Sequence, residues 1–446
     1  TAYEIMPSLV GSEMCIRDRI RPLGMDHLFA AAHDDGLTTA LAGHRWWERM
    51  VPERLRDLSF FNEGLDAEDD RETADAALPW LRDRAADFVL IHLDQVDETG
   101  HAHGAVGPEW AQAAANVDRL LRDLAAELDF SRDVLIVTSD HGHVDRGGHG
   151  GQDEIVTQQP LVMVGAGVRP GEYGDVQNVD LAPTMAVLLG TRVPAANQGR
   201  VLWEMLEALA DLQAAGDAAV AQARAHLAAA YLTAIGREDA PGITLDERMT
   251  NGRAARLRAE RWPRAVLAGV VALAPLPFLW RRRGRAVGAA LLGGLTYLAI
   301  YHLLFALVEG NTYSLSTLRS AGQVLGQMAL NNGMGLIVGV GIALWIGRRA
   351  ASRIRLALGT AWFAIYLAAL PVLVGFACDG PTITWHLPDD FLLFFLYFAG
   401  LVQIMFLAGI GLLVVGVVRA VIPRPDSHPA GEPPAASPAP PSDGRW

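Results

Sequence analysis

Two short apolar runs in the first half of the chain have the length and composition of buried strands. Residues 87–91 read Asp-Phe-Val-Leu-Ile and residues 133–137 read Asp-Val-Leu-Ile-Val, without the polar alternation of a half-exposed strand. Between them, residues 108–128 carry apolar side chains at helical spacing after a proline. This order predicts a right-handed βαβ unit, which brings the carboxyl ends of both strands to one edge of a parallel sheet.

The same patterns predict further elements on either side of this unit. We expect a helix, a glycine turn and a short strand over residues 28–43, a charged and solvated cap over 50–86, a buried strand at 160–165, a helix at 180–189, a long amphipathic helix at 201–235 and a polar linker at 237–261. Helices covering a mostly parallel sheet make the first half an α/β domain.

Beyond residue 261 the chain contains long apolar stretches that are nearly free of charge. They cover residues 265–280, 286–308, 322–346, 356–377 and 391–418. About 20 apolar residues cross a bilayer as a helix, so we expect about five transmembrane helices, of which the first is the shortest. Buried helices of a soluble domain are the alternative, but so many successive stretches of this length disfavour it. The predicted fold class is therefore α/β, followed by an α-helical transmembrane bundle.

The arginines divide the loops between these stretches into two groups. Residues 281–285 and 348–355 are rich in arginine, whereas the loops that hold Glu309 and Asp379 carry little positive charge. By the positive-inside rule the arginine loops are cytoplasmic. The α/β domain is then expected outside the cytoplasm and the C-terminus inside.

Polar side chains with metal-binding chemistry follow both strands of the βαβ unit. Asp97 and His101 follow the first strand, and Asp140, His141 and His149 follow the second. Carboxylates with imidazoles, and no thiolate, suit zinc or manganese better than calcium or a structural cysteine site. An Asp-His pair after a strand is also common in a plain turn, so that pair alone leaves a metal site and a turn about equally open. The second cluster favours the metal site.

With both clusters in view, the chain resembles a known family. Val-Asp-x-x-Gly-His-x-His-Gly at 96–104, Thr-Ser-Asp-His-Gly at 138–142, Gly-x-His-Gly-Gly at 147–151 and the segment 178–199 are similar to motifs of the alkaline phosphatase superfamily. The likeness covers residues 25–205 and is closest to the type I phosphodiesterase and glycosylphosphatidylinositol (GPI) ethanolamine-phosphate transferase branches. It implies an alkaline phosphatase-like, mostly parallel sheet sandwiched by helices.

The resemblance also implies the chemistry of the site. Asp97, His101 and His149 would hold one divalent ion, and Asp140 and His141 a second, with zinc expected and manganese as the alternative. A pair of such ions clamps a phosphoryl group. The expected partners are a phosphate-ester substrate, of a kind attached to a lipid or a glycan, and the lipid bilayer.

The family's nucleophile and one further metal ligand are not found among the matched motifs. In the family both lie N-terminal to every matched segment, so we expect them to be missing from this chain. Residues 1–19 have neither helical nor strand periodicity and are expected to be a non-native or disordered leader. Thr38 and Thr39 are conceivable substitutes for the nucleophile, but hydroxyl residues in a strand are usually ordinary β-formers.

Several polar residues near the two clusters have no matching role. They are His92, Asp94, His103, His143 and Asp145. His103 and His143 could orient the metal ligands, but exposed loop residues explain them equally well.

Length and charge are consistent with this organisation. We expect the 446 residues to be divided into a leader (1–19), a phosphatase-like domain incomplete at its N-terminus (20–205), a linker helix and linker (206–262), a transmembrane domain (263–421) and a disordered Pro-rich tail (422–446). The net charge of −13 falls mainly before residue 262 and argues against nucleic-acid binding. Two cysteines, Cys15 and Cys378, imply no disulfide framework.

Two functions follow from the sequence. The first is a membrane-anchored, two-metal phosphodiesterase or phosphoethanolamine-type head-group transferase that acts outside the cytoplasm. Sulfatases are related, but they normally use one calcium ion, and His101 with His149 favours two transition-metal sites. The alternative is a non-catalytic binding module on a transporter or assembly protein. In a transporter, Asn331, Asn332 and His302 could line the transport path. Polar contacts between helices explain these residues as well.

Overall fold

The computed structural model of the protein describes residues 22–282, 284–317, 321–381 and 391–421. The leader expected at 1–19 and the tail expected at 422–446 lie outside the described residues.

The described globular half alternates strands with helices. Its strands are β1 Thr39–His44, β2 Leu58–Asn62, β3 Phe88–Ile91, β4 Val134–Thr138 and β5 Leu161–Gly165. Its α-helices are α1 Leu28–Asp34, α2 Trp46–Met50, α3 Ala67–Arg82, α4 Gln95–His103, α5 Pro108–Ala126, α6 Glu154–Thr157, α7 Leu181–Leu189 and α8 Ala210–Ala234. Short 3-10 helices lie at Glu53–Leu55, Asn178–Asp180 and Trp203–Met205.

Strand β1 is the centre of a parallel sheet and is buried along its whole length. It pairs with β2 on one side and with β3 on the other, both in parallel. Successive side chains of a strand point to opposite faces, and Leu41 packs in a cluster with Phe29 of α1, whereas Ala42 packs in a cluster with residues of α3 and α5. Helices therefore cover both faces, and the predicted α/β class is confirmed.

Strand β4 departs from the expected βαβ unit. It pairs antiparallel with β5, and the ladders of the described residues form a three-stranded and a two-stranded piece. The prediction of a buried strand at 160–165 is wrong in part, because Val162 and Val164 are 55% and 41% exposed. The alternate residue Met163 packs on the cluster around Ala186 and Val201, so only one face of β5 is covered.

The helix predicted at 201–235 begins only at Ala210. The preceding backbone is held by contacts with other segments: Leu202 donates to the Thr184 hydroxyl, and Arg169 donates to the Met205 carbonyl. Helical apolar spacing at 201–209 therefore reflects packing of an irregular segment, whose Leu202 and Leu206 are buried.

The second half consists of long apolar helices. They are α9 Leu245–Leu273, α10 Leu276–Arg281, α11 Arg285–Leu303, which continues as a π-helical turn at Leu304–Val308, α12 Ala321–Ile346, α13 Arg353–Asp379 and α14 Phe391–Val421. In the described residues, five helical segments are long and apolar enough to cross a membrane, as predicted. The polar linker expected up to residue 261 is partly helical, because a capping box of Thr244 and Glu247 starts α9 well before the apolar stretch.

Small residues and a few polar bonds join the transmembrane helices. A side chain at Gly293 would meet the backbone of Gly339, so α11 and α12 approach closely. The Tyr297 hydroxyl donates to the Asn332 side chain over 2.7 Å, and His302 lies 3.0 Å from the Tyr313 hydroxyl. Asn332 and His302, two of the three residues considered for a transport path, thus take part in contacts within the bundle.

Candidate metal centre

Helix α4 presents two of the predicted ligands on one face. Asp97 and His101 lie one helical turn apart, and Gly100 is inside the helix between them. The Asp97 Oδ2 atom is 3.6 Å from His101 Nε2. The four-residue spacing within one helix therefore brings both side chains together without a contact from a distant segment.

The start of α4 is anchored by a residue that sequence analysis missed. Asp70 of α3 is only 1% exposed, although residues 50–86 were expected to be a solvated cap. Its carboxylate accepts hydrogen bonds from the backbone of Asp94 over 2.7 Å and of Gln95 over 3.2 Å, and from the Gln95 side chain over 2.9 Å. Asp70 thus satisfies helix-start donors from a different helix. The only sequence signal for this role of Asp70 is the acidic run at residues 66–70.

The segment after β4 folds back over α4 with the help of glycines. Gly147 has a φ of +93°, and a Cβ atom there would overlap the Gly100 carbonyl. The backbone of Ala105 donates to the Asp145 carbonyl over 3.0 Å. This close packing places residues 141–149 against the face of α4 that carries Asp97 and His101, although β4 does not pair with β3.

Three predicted ligands converge at this contact. His149 Nε2 is 2.9 Å from His101 Nε2 and 3.6 Å from Asp97 Oδ1. Ligand atoms around a tetrahedral zinc ion, with bonds of about 2.0–2.1 Å, are about 3.3 Å apart. The three side chains therefore fit one divalent ion, as the composition of the group also indicates.

His141 and Asp140 border this group. The His141 ring stacks on that of His149, with centroids 3.8 Å apart, and its Nε2 atom is 3.9 Å from Asp97 Oδ1. Asp140 is exposed over 68% of its side chain, and its Oδ2 atom is 3.5 Å from His141 Nε2. That distance also fits two ligands of one ion, but Asp140 lies outside both of the compact groups, which are Asp97–His101–His149 and Asp97–His141–His143.

His143 belongs to the second group, and its burial excludes the alternative of an exposed loop residue. Its Nε2 atom is 2.7 Å from Asp97 Oδ1, and its Nδ1 atom is 2.7 Å from the Gly147 carbonyl. Both ring nitrogens thus face oxygen acceptors, which is the arrangement of a residue that orients a ligand. Burial opposes the charged ring, but the hydrogen bond with Asp97 raises the pKa of His143.

The electrostatics suit metal binding. Burial works against a charged Asp97, but the His143 hydrogen bond and the nearby imidazoles outweigh it and lower the pKa of Asp97 far below its usual value. Burial and then the neighbouring His141 lower the pKa of His149 to about 3. At neutral pH the centre therefore offers a carboxylate and a neutral imidazole, which are the forms that bind a divalent ion.

The other polar neighbours do not join the centre. His92 lies 3.2 Å from Asp94 Oδ2 at the end of β3. The side chains of His103 and Asp145 are exposed to solvent. His103 is thus exposed, as the alternative predicts, but it ends helix α4 rather than lying in a loop.

A cleft of about 570 Å³ lies between the loop after β4 and the membrane half. Its lining combines charged, amide, hydroxyl and aliphatic groups: Val144, Asp145, Arg146, Ile155, Gly310, Asn311, Thr312, Ser316, Thr317, Val324 and Gln327. The loop that carries His149 thus forms one wall, and the start of α12 forms part of the other.

Comparison with known proteins identifies the globular half. The model of the type I phosphodiesterase / nucleotide pyrophosphatase family matches residues 21–236. Residues 21–236 thus match this family of the alkaline phosphatase superfamily, and the match covers the globular half of the chain. No solved structure matches it.

Curated relatives of this chain include GPI ethanolamine phosphate transferases. The catalytic subunit of transferase 3 from Mus musculus is 27% identical over 209 residues, which are 45% of this chain and 19% of the relative. The Homo sapiens protein is 27% identical over 211 residues with the same coverage, and transferase 3 of Schizosaccharomyces pombe is 32% identical over 133 residues, 28% of this chain and 14% of the relative. The chain thus spans at most about a fifth of the length of these relatives.

The third family motif, residues 178–199, closes the phosphodiesterase-family domain. Asp180 is buried and accepts hydrogen bonds from the backbone of Gln177 and Arg200. Arg192 forms ion pairs with Asp26 and Asp34. The motif therefore fastens the N-terminal helix α1 to the end of the domain.

Proposed function

We propose that this chain is a membrane-bound, metal-dependent enzyme for phosphate esters, either a phosphodiesterase or a transferase of phosphoethanolamine-type head groups. The observation that carries the proposal is the convergence of Asp97, His101 and His149 within 3.6 Å of one another. The match of residues 21–236 to the type I phosphodiesterase / nucleotide pyrophosphatase family supports the proposal.

Some residues of the centre would bind the ions, and His143 would orient one of the ligands. Asp97, His101 and His149 would hold one ion, and His141 with Asp140 a second, zinc being the expected metal and manganese the alternative. When bound, two such ions neutralise a phosphoryl group and lower the pKa of an attacking oxygen. His143 keeps Asp97 charged and fixes the direction of its carboxylate, while neutral imidazoles leave a positive charge for an anionic substrate.

Neither Thr38 nor Thr39 fits the role of the nucleophile. The Thr38 hydroxyl donates to Asp87 over 2.7 Å, and the Thr39 hydroxyl donates to the Leu55 carbonyl over 2.6 Å. Thr39 opens β1 and pairs with Phe88 at the opposite end of the strands from His92. In the family's scheme a Thr or Ser attacks phosphorus and forms a covalent intermediate. We propose that this group comes from a segment other than the described strands.

The substrate is proposed to be a phosphate ester linked to a lipid or a glycan. The relatives are named as GPI ethanolamine phosphate transferases, and the cleft beside the centre has one wall in the membrane half. The arginine-rich loops, which the positive-inside rule assigns to the cytoplasm, support a position of the globular half outside the cytoplasm. The net charge of −13 disfavours nucleic acid as a partner.

The test is the zinc content of the full chain in detergent, after removal of metal by a chelator and dialysis against zinc. We expect the wild type to retain zinc, and His101→Ala and His149→Ala to lose the ion of the first group. His103→Ala is the matched control, because His103 lies on the same helix but is exposed. Calorimetry should then detect binding of inorganic phosphate only by the zinc-loaded protein. Equal zinc content in all four proteins would contradict the proposal.

A further inference from the structure

A loop of the membrane half contacts the segment that carries His149. This docking loop, residues 309–317, joins α11 and its π-helical turn to the segment before α12. Ser316 Oγ accepts a hydrogen bond from the Gly151 backbone over 3.0 Å, and Ser314 Oγ donates to Asp153 Oδ2 over 2.5 Å. Both serines are almost fully buried. The docking loop therefore forms hydrogen bonds with Gly151 and Asp153, just after His149.

Gly151 allows this contact because it has no side chain. A Cβ atom there would overlap Ser314 Oγ and lie within 2.8 Å of the Ser316 backbone nitrogen. The neighbouring Gly150 has open space around it. Of the two glycines that follow His149, the second is thus the one that the docking loop requires.

Among the described residues, no hydrogen bond to Nδ1 orients the ring of His149. A histidine that binds a metal usually donates its other ring nitrogen to a carboxylate or a carbonyl. Here Nδ1 of His149 is buried and has no hydrogen-bond partner among the described residues. The position of the ring therefore depends on its stacking against His141 and on the backbone of residues 147–151.

That backbone is held from two sides. Helix α4 contacts it at Gly147, and the docking loop contacts it at Gly151. Arg146 adds hydrogen bonds to the Glu309 carbonyl and to the Asn311 side chain. The side facing away from α4 is thus supported by residues about 160 positions later in the sequence, as in the Gly151–Ser316 contact.

We propose that Ser314 and Ser316 are positioning residues that hold His149 in its metal-binding place, so that the membrane half helps to build the metal centre. The role in metal binding rests on the proposed function. The contacts themselves predict that loosening the docking loop displaces His149 even without metal.

The experiment compares full-length proteins in detergent: the wild type, the double variant Ser314→Ala/Ser316→Ala, Ser316→Thr and Ser352→Ala. Ser352 is the matched control, since its hydroxyl also accepts one backbone hydrogen bond, at the start of α13 and beyond the other end of α12. The readouts are the zinc dissociation constant, measured with a competing chelator, and hydrogen exchange at residues 147–153 and at the His149 ring.

We expect the double variant to bind zinc about 10-fold or more weakly, as removal of groups that orient a ligand does elsewhere. Its residues 150–153 and the His149 ring should exchange faster without metal, at an unchanged melting temperature. Ser316→Thr keeps a hydroxyl group and leaves Ser314 unchanged, so it should retain most of the zinc affinity of the wild type. Ser352→Ala should match the wild type.

Zinc affinity and His149 exchange equal to those of the wild type in the double variant would overturn the proposal. Gly151→Ala provides a second perturbation if that variant folds poorly, and it should have the same effect from the opposite side of the contact. A wild type that binds no zinc would contradict the proposed function, whereas faster exchange of the His149 ring in the double variant would still support the positioning role.

Discussion

The two sides of the candidate metal centre are built in different ways. Asp97 and His101 lie on one face of helix α4, where a four-residue spacing and backbone hydrogen bonds fix their distance. His149 lies in a glycine-rich segment without regular structure, and contacts with α4 and the docking loop hold it. The first side is determined by neighbours in sequence, and the second by partners far away. The second side is therefore the more easily displaced.

The most severe disruption of both sides is Asp97→Asn. Asp97 belongs to both groups that could hold an ion and accepts the bond from His143. An amide is a much poorer metal ligand, so we expect zinc binding to weaken on the order of 100-fold. Zinc content and calorimetric titration measure the effect. Asp145→Asn is the control, because Asp145 is exposed, and a similar loss there would show that the change is not specific to the centre.

The contact between the two sides is tested by Gly147→Ala. The new Cβ atom would overlap the Gly100 carbonyl at a φ of +93°. We expect a loss of stability of about 3 kcal/mol or more, because neither backbone can yield easily. Gly150→Ala has a similar φ of +90° but open space, so only strain of about 1–3 kcal/mol applies. Thermal denaturation should rank the two variants, and equal melting temperatures would show that the two backbones are not in contact.

The helical side alone is disturbed by Asp70→Ala. The change leaves the backbone donors of Asp94 and Gln95 without their buried acceptor, which costs about 1–3 kcal/mol. We expect faster hydrogen exchange at the start of α4 and a moderate loss of zinc affinity. Asp75→Ala serves as the control, since Asp75 is an exposed residue of the same helix α3. If exchange at α4 were the same in both variants, Asp70 would not anchor the helix.

The smallest effect is expected for Arg146→Ala, at the edge of the second side. Arg146 is exposed, and its bonds to Glu309 and Asn311 are among the outer contacts of the docking loop. Such bonds contribute about 0.5–1.5 kcal/mol each at most. The melting temperature should fall slightly, and the zinc affinity should stay close to that of the wild type. A large loss of zinc would mean that Arg146, rather than the serines, holds the segment.

Features that depend on neighbours in sequence were predictable, and features that depend on distant partners were not. Five transmembrane helices and the α/β class were predictable, because apolar length and periodicity are local properties. The proximity of Asp97 to His101 was also predictable from their spacing, although the helix around Gly100 was not, since glycine lowers helix propensity. The antiparallel pairing of β4 with β5 was not predictable, because a local sequence pattern does not determine which strand pairs with which.

The supporting residues of the site were not predictable. Asp70 lies in an acidic run that resembles a solvated surface, and only tertiary packing buries it. Ser314 and Ser316 lie in a loop between apolar helices and meet the His149 segment across about 160 residues of sequence. His143 was noted beside the ligands, but the direction of its ring depends on the turn at Gly147.

The central claim is that Asp97, His101 and His149 bind one divalent ion. X-ray absorption at the zinc edge, on the zinc-loaded full chain in detergent, tests it most directly. We predict nitrogen and oxygen ligands at about 2.0–2.1 Å with the scattering pattern of imidazole rings, and loss of part of that pattern in His149→Ala. Zinc surrounded by oxygen alone, or an identical spectrum in His149→Ala, would contradict the claim.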